Sequence, residues 1–597
     1  MYNCSSFNLI NANILTSTKL TWQALQPNSI RYQSIFSNIF LNDSDNLADV
    51  QPRLLNALAH LYNQTNNFIL LLCSQENIDY FSWIMTAAKR FQSKSITLFG
   101  GEYQIIDDTV ILIPPTDCNC PFTSDGGVYQ ANWFESEQLF GCVRQFKDHI
   151  QLEPGLIHKA NGGTLILSIN TFLLQPLLWL RLRKYIEQGH FYWSSQNERQ
   201  PLPISIPALP LQLRLVLCGN RNTLASFQEL DNEIYKIALY SEFEENLLIR
   251  KENDIKSWCQ WTLAQAKSIG LPQPEVDFWP LLINEAVRIT GDQNILPLCP
   301  TWLRRQLQET AIHGNSLNAK SLKKALEVKA WRESFISERM YDDILSNQMI
   351  INTTDEVIGQ INGLSVVECS GHPLAWGTPL RITCVVYPGD NECTDVESKL
   401  DLGDNIHAKG VMIMQAYLIS QLELQQHFPF SASLVLEQSY SEVNGDSASL
   451  AELCVLISAL ANKPLNQQIA VTGSVDQFGK VQAVGEVSRK IEGFFKICNA
   501  RILTGKQGVI LPTSNVHHLS LNQDVVDAVK IGQFHIWAVD SIEEALPLLT
   551  GIVWRSIQNN DESLLYLIKE RINQLNQHGI YQKPWLLRLF NWFKHSY

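Results

Sequence analysis

The chain has 597 residues, which is enough for about four domains of ordinary size. Hydrophobic residues make up 45% and charged residues 18%, as in an ordinary globular protein, and the net charge of −13 argues against a protein that coats nucleic acid. The 13 cysteines follow no disulfide framework, and neither a signal peptide nor an apolar run of about 20 residues stands out, so we expect free thiols and a cytoplasmic protein.

The first 345 residues predict an α/β region followed by a helical one. Residues 1–110 combine helical patterns with a short apolar strand, Phe68 to Leu72. Residues 111–250 begin with about 20 turn-rich residues that indicate a loop or a boundary. Strand-like runs such as "GTLILSI" and "LRLVLCG" then alternate with helices, as they do around a parallel sheet. Residues 251–345 have an almost purely helical pattern, so we expect a helical domain there.

The second half predicts another domain and a tail. Residues 350–549 mix strand patterns such as "TPLRITCVVYP" with helices and predict a domain of the α+β kind. Residues 550–597 form an amphipathic tail that ends in "KPWLLRLFNWFKHSY". At about 13 residues this aromatic segment is too short to span a bilayer. It either packs on its own chain or docks on a partner or a membrane surface.

A serine stands at a junction in the stretch "NGDSASLAELCVLISAL", which begins at Asn444. The apolar positions downstream recur at helical spacing, which predicts that Ser447 lies in the first turn of a helix. Free N–H groups and the helix dipole favour a developing negative charge there, as a nucleophile requires. Serine is also a preferred helix cap, so the stretch alone leaves both interpretations open.

A lysine downstream is the candidate base for this serine. The segment "VTGSVDQFGKVQAVGEVSRKIEGFFKICNA" predicts a strand that ends at Thr472, a β-turn, a second strand and a helix from about Val487. Lys490 falls inside the apolar stripe of that helix, where burial would lower its pKa and let the neutral amine accept a proton. A lysine whose stem is buried and whose amine reaches water is the alternative.

The motifs "NGDSAS", "VTGSVDQFGKVQAVGE" and "SRKIEGFF" resemble the proteolytic domain of Lon proteases, most of all the LonB type. The resemblance spans residues 350–549 and implies that Ser447 and Lys490 form a Ser–Lys dyad that hydrolyses peptide bonds, supported by Thr472. It also implies polypeptide substrates, a hexameric homo-oligomer, and an oxyanion held by backbone N–H groups at the start of the serine helix.

Two positions depart from the family's pattern. Asn444 stands where an acidic residue is usual. Gly485 and Glu486 stand where the family has two glycines. Glu486 is expected to raise the pKa of Lys490 if it pairs with the ammonium, which would weaken the base.

The first half resembles the AAA+ module of the same family, with its catalytic motifs degenerate. Residues 137–170 match the segment that leads into the Walker B strand, but Ser168 and Ile169 stand where two carboxylates are expected. The best Walker A candidate, "NFILLLCSQENIDYF", has Asp79 and Tyr80 in place of the glycine and the lysine. Positions that match sensor residues keep polar or basic side chains: Asn220, Arg304 and Arg305. We therefore expect neither ATP nor Mg²⁺ as a cofactor, although the family uses both, unless a different loop binds nucleotide.

Two other functions remain open on the sequence. A pseudo-protease would keep the fold as a scaffold without turnover. An α/β-hydrolase esterase would use "GDSAS" as its nucleophile turn and one of three histidines as base: His517, His518 or His535.

Metal ligands are sparse in the sequence. Cys118 and Cys120 lack the second pair that a zinc site needs, and the pair His517-His518 lacks a third spaced ligand, so no metal is expected. His407 and Lys409, in "NIHAKG", either line the cleft or pack beside it.

Overall fold

The computed structural model describes the following residues: 18–39, 46–63, 68–92, 97–106, 109–117, 119–145, 150–195, 201–387, 393–400, 402–423, 430–438, 445–556 and 563–581. These residues form two compact units. The N-terminal unit comprises 34–276 and 297–318, and the C-terminal unit comprises the chain up to 33, 277–296 and everything from 319 onward. The predicted helical region 251–345 is helical, but both units draw helices from it. The finer five-part division stays a prediction.

A five-stranded parallel sheet lies at the centre of the N-terminal unit. Its strands are β1 (Phe68–Cys73), β2 (Val128–Ala131), β3 (Thr164–Ser168), β4 (Arg214–Gly219) and β5 (Ala238–Glu242). They run in the order β5-β1-β4-β3-β2, and every neighbouring pair is parallel. The predicted α/β class is confirmed. The prediction of a loop at the start of residues 111–250 is wrong where β2 begins, because Val128 pairs with β3. A strand of four residues is too short to show a periodic pattern in the sequence.

Helices cover both faces of this sheet, because alternate side chains of β1 enter two separate apolar clusters. Helix α1 (Ile78–Phe91) follows β1 directly, and the Asn77 side chain caps it by accepting from the N–H groups of Asp79 and Tyr80. The other helices are Gln33–Ser37, Asn46–Val50, Pro52–Asn63, Ser136–Phe140, Leu156–Lys159, Ile169–Leu174, Pro176–Gln188, Arg221–Leu230, Ile234–Ile237, Glu252–Ser268 and Pro300–Ile312. Short hairpins join Glu102–Ile106 to Thr109–Ile113 and Cys142–Gln145 to Ile150–Glu153.

The C-terminal unit has a mixed seven-stranded sheet. Its strands are β6 (Gln360–Val367), β7 (Trp376–Tyr387), β8 (Cys393–Asp395), β9 (Ser431–Glu437), β10 (Ile469–Val471), β11 (Gln507–Pro512) and β12 (Phe534–Val539), in the order β8-β9-β7-β6-β10-β11-β12. Strand β7 is antiparallel to both of its neighbours, and the other pairs are parallel. A short hairpin, Ser474–Val475 with Val481–Gln482, follows β10 as the sequence predicts.

Three helices of this unit position the candidate site: α2 (Asn405–Leu422), α3 (Ser449–Ala461) and α4 (Val487–Ala500). Ile469 and Val471 of β10 pack into the cluster that contains α3, whereas Ala470 packs into the cluster that contains α4. Because successive side chains of a strand point to opposite faces, α3 and α4 cover opposite faces of the sheet. Their N-termini can therefore meet only past the end of β10. The remaining helices are Phe278–Thr290, Ala319–Glu333, Phe335–Leu345, Val396–Lys399, Gln523–Lys530, Ile542–Thr550 and Leu564–Tyr581.

The last described helix, Leu564–Tyr581, begins inside the predicted tail. Leu564, Ile568 and Ile572 are buried in the cluster that contains α3, so this part of the tail packs on its own chain. The aromatic segment "KPWLLRLFNWFKHSY" lies outside the described residues. Among the helices that the structure describes, none is long and apolar enough to cross a membrane.

Candidate active site

The three predicted site residues come together at the end of β10. Lys490 Nζ lies 2.8 Å from Ser447 Oγ and 3.3 Å from Thr472 Oγ1. Lys490 and Thr472 are buried, with 4% and 0% of their surface exposed, whereas Ser447 is partly exposed. The arrangement buries the amine and leaves the hydroxyl accessible.

Ser447 lies in a tight turn before α3, not in the first turn of the helix as predicted. Gly445 opens this turn with φ +87°, a left-handed conformation that glycine adopts without strain, and α3 begins only at Ser449. The N–H of Ser449 donates to Asp446 O and that of Leu450 to Gly473 O, so these helix-start donors are already used. The N–H groups of Ser447 and Ala448 donate to none of the described residues.

Three contacts hold the turn against the elements around it. Ser474, in the hairpin after β10, donates its hydroxyl to Asp446 Oδ2 at 2.7 Å. The Gly473 N–H donates to Ser447 O at 3.0 Å. On the other side, the Asp404 carboxylate, which caps α2, accepts from the Gly445 N–H at 3.2 Å. The serine is thus fixed to β10 and to α2 together.

A glycine contact positions the lysine helix. A Cβ on Gly493 of α4 would lie 2.1 Å from the carbonyl oxygen of Gly377 in β7, far inside any real contact. A Cβ on Gly377 would lie 2.7 Å from the Cα of Lys490 itself. Helix α4 can therefore approach β7 only because both positions lack side chains, and this approach sets the depth of Lys490.

Burial lowers the pKa of Lys490 to about 8, although the nearby charges of Asp446 and Glu486 act to raise it. Glu486 forms its own ion pair with Arg489 at 2.9 Å. The charge of Glu486 thus raises the pKa of Lys490, as expected, but by less than burial lowers it. Glu486 also caps α4 in a left-handed conformation, φ +56°, which a non-glycine residue adopts at a cost of roughly 1 kcal/mol.

His407 packs inside the domain behind the nucleophile and does not line a cleft. Its side chain is 1% exposed, its Nε2 lies 3.1 Å from Asp395 Oδ2, and its Nδ1 lies 3.8 Å from Glu452 Oε1 of α3. Burial acts to lower the pKa of His407, but the hydrogen bond with Asp395 and the charges of Glu452 and Glu397 outweigh it and raise the pKa to about 9. Burial raises the pKa of Glu452 to about 7. Lys409 is exposed.

The three histidines considered as esterase bases have other partners. His535 Nε2 contacts Gly505 O at 2.9 Å, and His517 lies 3.9 Å from Asp292. The Asn515 amide is oriented by the backbone of Val484, so its Nδ2 must donate to His518 Nδ1. The described partner of Ser447 Oγ is Lys490 Nζ, and none of these three histidines forms a hydrogen bond with it, so the esterase interpretation lacks its base at these positions.

Asp292 lies beside the pair His517-His518, and one potential ligand atom of each of the three residues lies within 4.8 Å of the others. The sequence did not identify this third potential metal ligand. However, His518 accepts a hydrogen bond at Nδ1, so its neutral ring carries the proton on Nε2 and has no lone pair for an ion. This donor set does not fit a metal. Cys118 and Asn444 lie outside the described residues.

In the N-terminal unit, the polar residues matched to nucleotide motifs are bonded to other residues of the chain. Arg304 Nη1 forms an ion pair with Asp79 at 2.7 Å, and the Tyr80 hydroxyl donates to Glu245 at 2.6 Å. Ile169 is buried, and Asn220 caps the next helix by accepting from Asn222 and Thr223 N–H groups. Arg305 pairs with Glu309 at 3.0 Å on its own helix.

Sequence reasoning missed several residues that hold this site. Asp404 could have been found as a cap, since an aspartate directly precedes a helical pattern. Asp446 lies beside the candidate serine, but its effect on Lys490 depends on contacts across the fold. The Gly377–Gly493 contact has no local signal, because it joins positions more than a hundred residues apart.

Comparisons with known proteins agree with this architecture. A family model described as "LonB-like, AAA domain" matches residues 131–241, and one described as "Lon protease (S16) C-terminal proteolytic domain" matches residues 352–550. The chain is 49% identical to the "Putative Lon protease homolog" of Escherichia coli (strain K12), over 97% of this chain and 100% of that protein. A protein of the same name from Haemophilus influenzae is 39% identical over 93% of each chain, and an archaeal Lon protease of Thermoplasma volcanium is 25% identical over 67% of this chain and 60% of its own. The chain belongs to the Lon protease family.

Proposed function

We propose that this protein is a serine endopeptidase that cleaves polypeptides through Ser447 and Lys490, without ATP hydrolysis of its own. The observation that carries the proposal is the 2.8 Å approach of a buried lysine amine to an accessible serine hydroxyl. A lysine whose pKa is lowered to about 8 is partly neutral near pH 7 and can act as a general base.

The chemistry follows from these positions. Ser447 Oγ attacks the peptide carbonyl carbon as neutral Lys490 Nζ takes the hydroxyl proton, and the carbonyl oxygen becomes an oxyanion. The N–H groups of Ser447 and Ala448 are the proposed oxyanion donors. Lys490 then gives its proton to the leaving amine nitrogen as the peptide bond breaks. Water, activated by the same amine, releases the acyl group. Thr472, 3.3 Å from Nζ, orients the lysine.

The N-terminal unit supports the ATP-independent part of the proposal. Nucleotide hydrolysis by an AAA+ module needs a lysine and free backbone N–H groups for the phosphates and carboxylates for Mg²⁺. Here Asn77 already accepts from the first N–H groups of α1, and Asp79 beside them brings a negative charge that is paired with Arg304. Ser168 and Ile169 offer no carboxylate to a metal. These residues do not fit a nucleoside triphosphate with its metal.

Substrates, assembly and location are proposed from family membership together with the composition of the sequence. We expect unfolded segments or peptides as substrates, since no motor would unfold stable domains. A homo-oligomer, a hexamer by family resemblance, and a cytoplasmic location complete the proposal. No nucleic-acid partner is expected.

The test is labelling by a fluorophosphonate probe together with cleavage of an unstructured peptide. We expect labelling and cleavage with the wild type and the loss of both with Ser447→Ala. Lys490→Ala should abolish cleavage to the same extent, because the two residues act as a unit. Ser346→Ala and Lys506→Ala, both at exposed positions, are the matched controls and should behave as wild type. Equal cleavage by wild type and Ser447→Ala would refute the proposal, and a folded wild type that is neither labelled nor active would establish a pseudo-protease.

A further inference from the structure

The Glu76 carboxylate lies at the sheet edge of the N-terminal unit where strands β1, β3 and β4 end. Glu76 lies between β1 and α1, in the segment that matches a phosphate-binding loop. In an open α/β sheet, ligands bind outside the carboxyl ends of the strands, so this edge is where a nucleotide phosphate would be expected.

Four donors converge on the Glu76 side chain. The Ser168 hydroxyl, at the end of β3, and the Asn170 N–H, at 3.0 Å, reach Oε2. The Asn170 side-chain amide donates to Oε1 at 2.9 Å. The Thr223 hydroxyl, just after β4, lies 3.1 Å from the same oxygen and shares its one proton between Oε1 and Asn220 O. A carboxylate has about four lone-pair sites, so these donors saturate it.

Two of the donors lie at or beside positions that resemble the family's nucleotide motifs. Ser168 stands at the Walker B position, and Thr223 is bonded to the sensor-like Asn220. Other charges near this edge are paired: Arg304 bonds to Asp79 at 2.7 Å, and Arg221, which follows β4, bonds to Glu242 at 3.1 Å.

We infer that Glu76 is an internal anion that substitutes for a nucleotide phosphate and ties the ends of β1, β3 and β4 together. A bound phosphate and the Glu76 carboxylate would need the same donors, and their like charges would repel. The unit therefore holds one arrangement of these strand ends without nucleotide. The inference rests on the ATP-independent part of the proposed function and deepens it, and it concerns a different unit from the one that carries the dyad.

Hydrogen exchange on the full-length protein tests the inference. Glu76→Gln keeps the shape but presents an amide donor to the donors around it, and Glu76→Ala removes the group. We expect both variants to exchange at least about tenfold faster in peptides covering 164–174 and 219–226, since both remove hydrogen bonds to a charged group, which are stronger than those between neutral groups. Peptides from 445–556 should be unchanged. Glu229→Gln, at an exposed helix position in the same unit, is the control.

A mutant cycle and a titration complete the test. Asn170→Ala removes a donor from the other side, so the double variant Glu76→Gln/Asn170→Ala should exchange little faster than either single variant. Titration of the wild type with ATP·Mg²⁺ and with inorganic phosphate needs no variant and should give no binding. Unchanged exchange in both Glu76 variants, additive effects in the cycle, or wild-type binding of ATP below about 100 µM would each overturn the inference. Peptidase labelling at Ser447 reports separately on the proposed function.

Discussion

The pH dependence of cleavage should report the ionisation of Lys490, and Asp446→Asn should move it in a known direction. Burial lowers the pKa of the lysine to about 8, and the charges of Asp446 and, to a smaller extent, Glu486 act against burial. The substitution removes that charge but keeps an oxygen that can accept from Ser474. The turn should therefore stay in place while the amine loses more of its tendency to be protonated.

The magnitude follows from the fraction of neutral amine. With a pKa of about 8, roughly 9% of Lys490 is neutral at pH 7 and roughly 90% at pH 9, so wild-type activity should rise about tenfold over that interval and then level off. Removing a neighbouring opposite charge should move the midpoint down by about half to one pH unit. At pH 7 the neutral fraction, and with it kcat/KM, would then rise about two- to fivefold.

The assay is the pH profile of kcat/KM with a short unstructured peptide, for the wild type, Asp446→Asn and the control Asp524→Asn. Asp524 is an exposed aspartate of the helix Gln523–Lys530, so its substitution should leave the midpoint unchanged. A wild-type rate that still climbs without a plateau at pH 10 would mean that the lysine keeps its ordinary pKa. A midpoint that rises in Asp446→Asn would equally refute the electrostatic reasoning.

Three further predictions concern the support of the site. Glu452→Gln should flatten the dependence of melting temperature on pH between about 5 and 9, compared with the exposed control Glu543→Gln. Folding raises the pKa of Glu452 to about 7 and that of His407 to about 9, so the stability that the two groups contribute is complete below their unfolded pKa values and is lost as pH rises through their folded pKa values. A wild-type melting temperature that rises over this interval would contradict the prediction. Glu486→Gly should melt at a higher temperature than Glu486→Ala, because both variants lose the Arg489 ion pair and only alanine keeps the left-handed strain, which exceeds the added chain entropy of glycine; a glycine variant that is no more stable than the alanine variant would mean that the backbone is not strained. Gly493→Ala should reduce kcat at least about tenfold by pushing α4 away from β7, with little change in KM. The control Gly532→Ala, where an added Cβ meets no neighbour but φ is +75°, should lower the melting temperature and leave kcat unchanged, and wild-type kcat in Gly493→Ala would show that the glycine contact does not position Lys490.

The strands and helices that the sequence identified correctly are those with a strong local pattern of apolar residues. The strand at Phe68–Cys73 is a continuous apolar run, and α4 begins at Val487 as its stripe predicts. Strand β2 was missed because four residues carry too little pattern to show a period. The start of α3 was placed two residues early, because the turn at Gly445–Ala448 has the same small polar residues as a helix cap.

The sequence by itself determined the α/β class, the family and the identity of the three candidate site residues, because those depend on side-chain type, spacing and motif. Only the tertiary structure decided how the serine and the lysine meet, since their helices lie on opposite faces of one sheet and converge past the end of β10. It also decided the balance between burial and the charges of Asp446 and Glu486 that sets the pKa of Lys490. The four donors around Glu76 likewise come together only in the fold. Distances, burial and electrostatic fields arise between residues far apart in the chain, and no local pattern of the sequence encodes them.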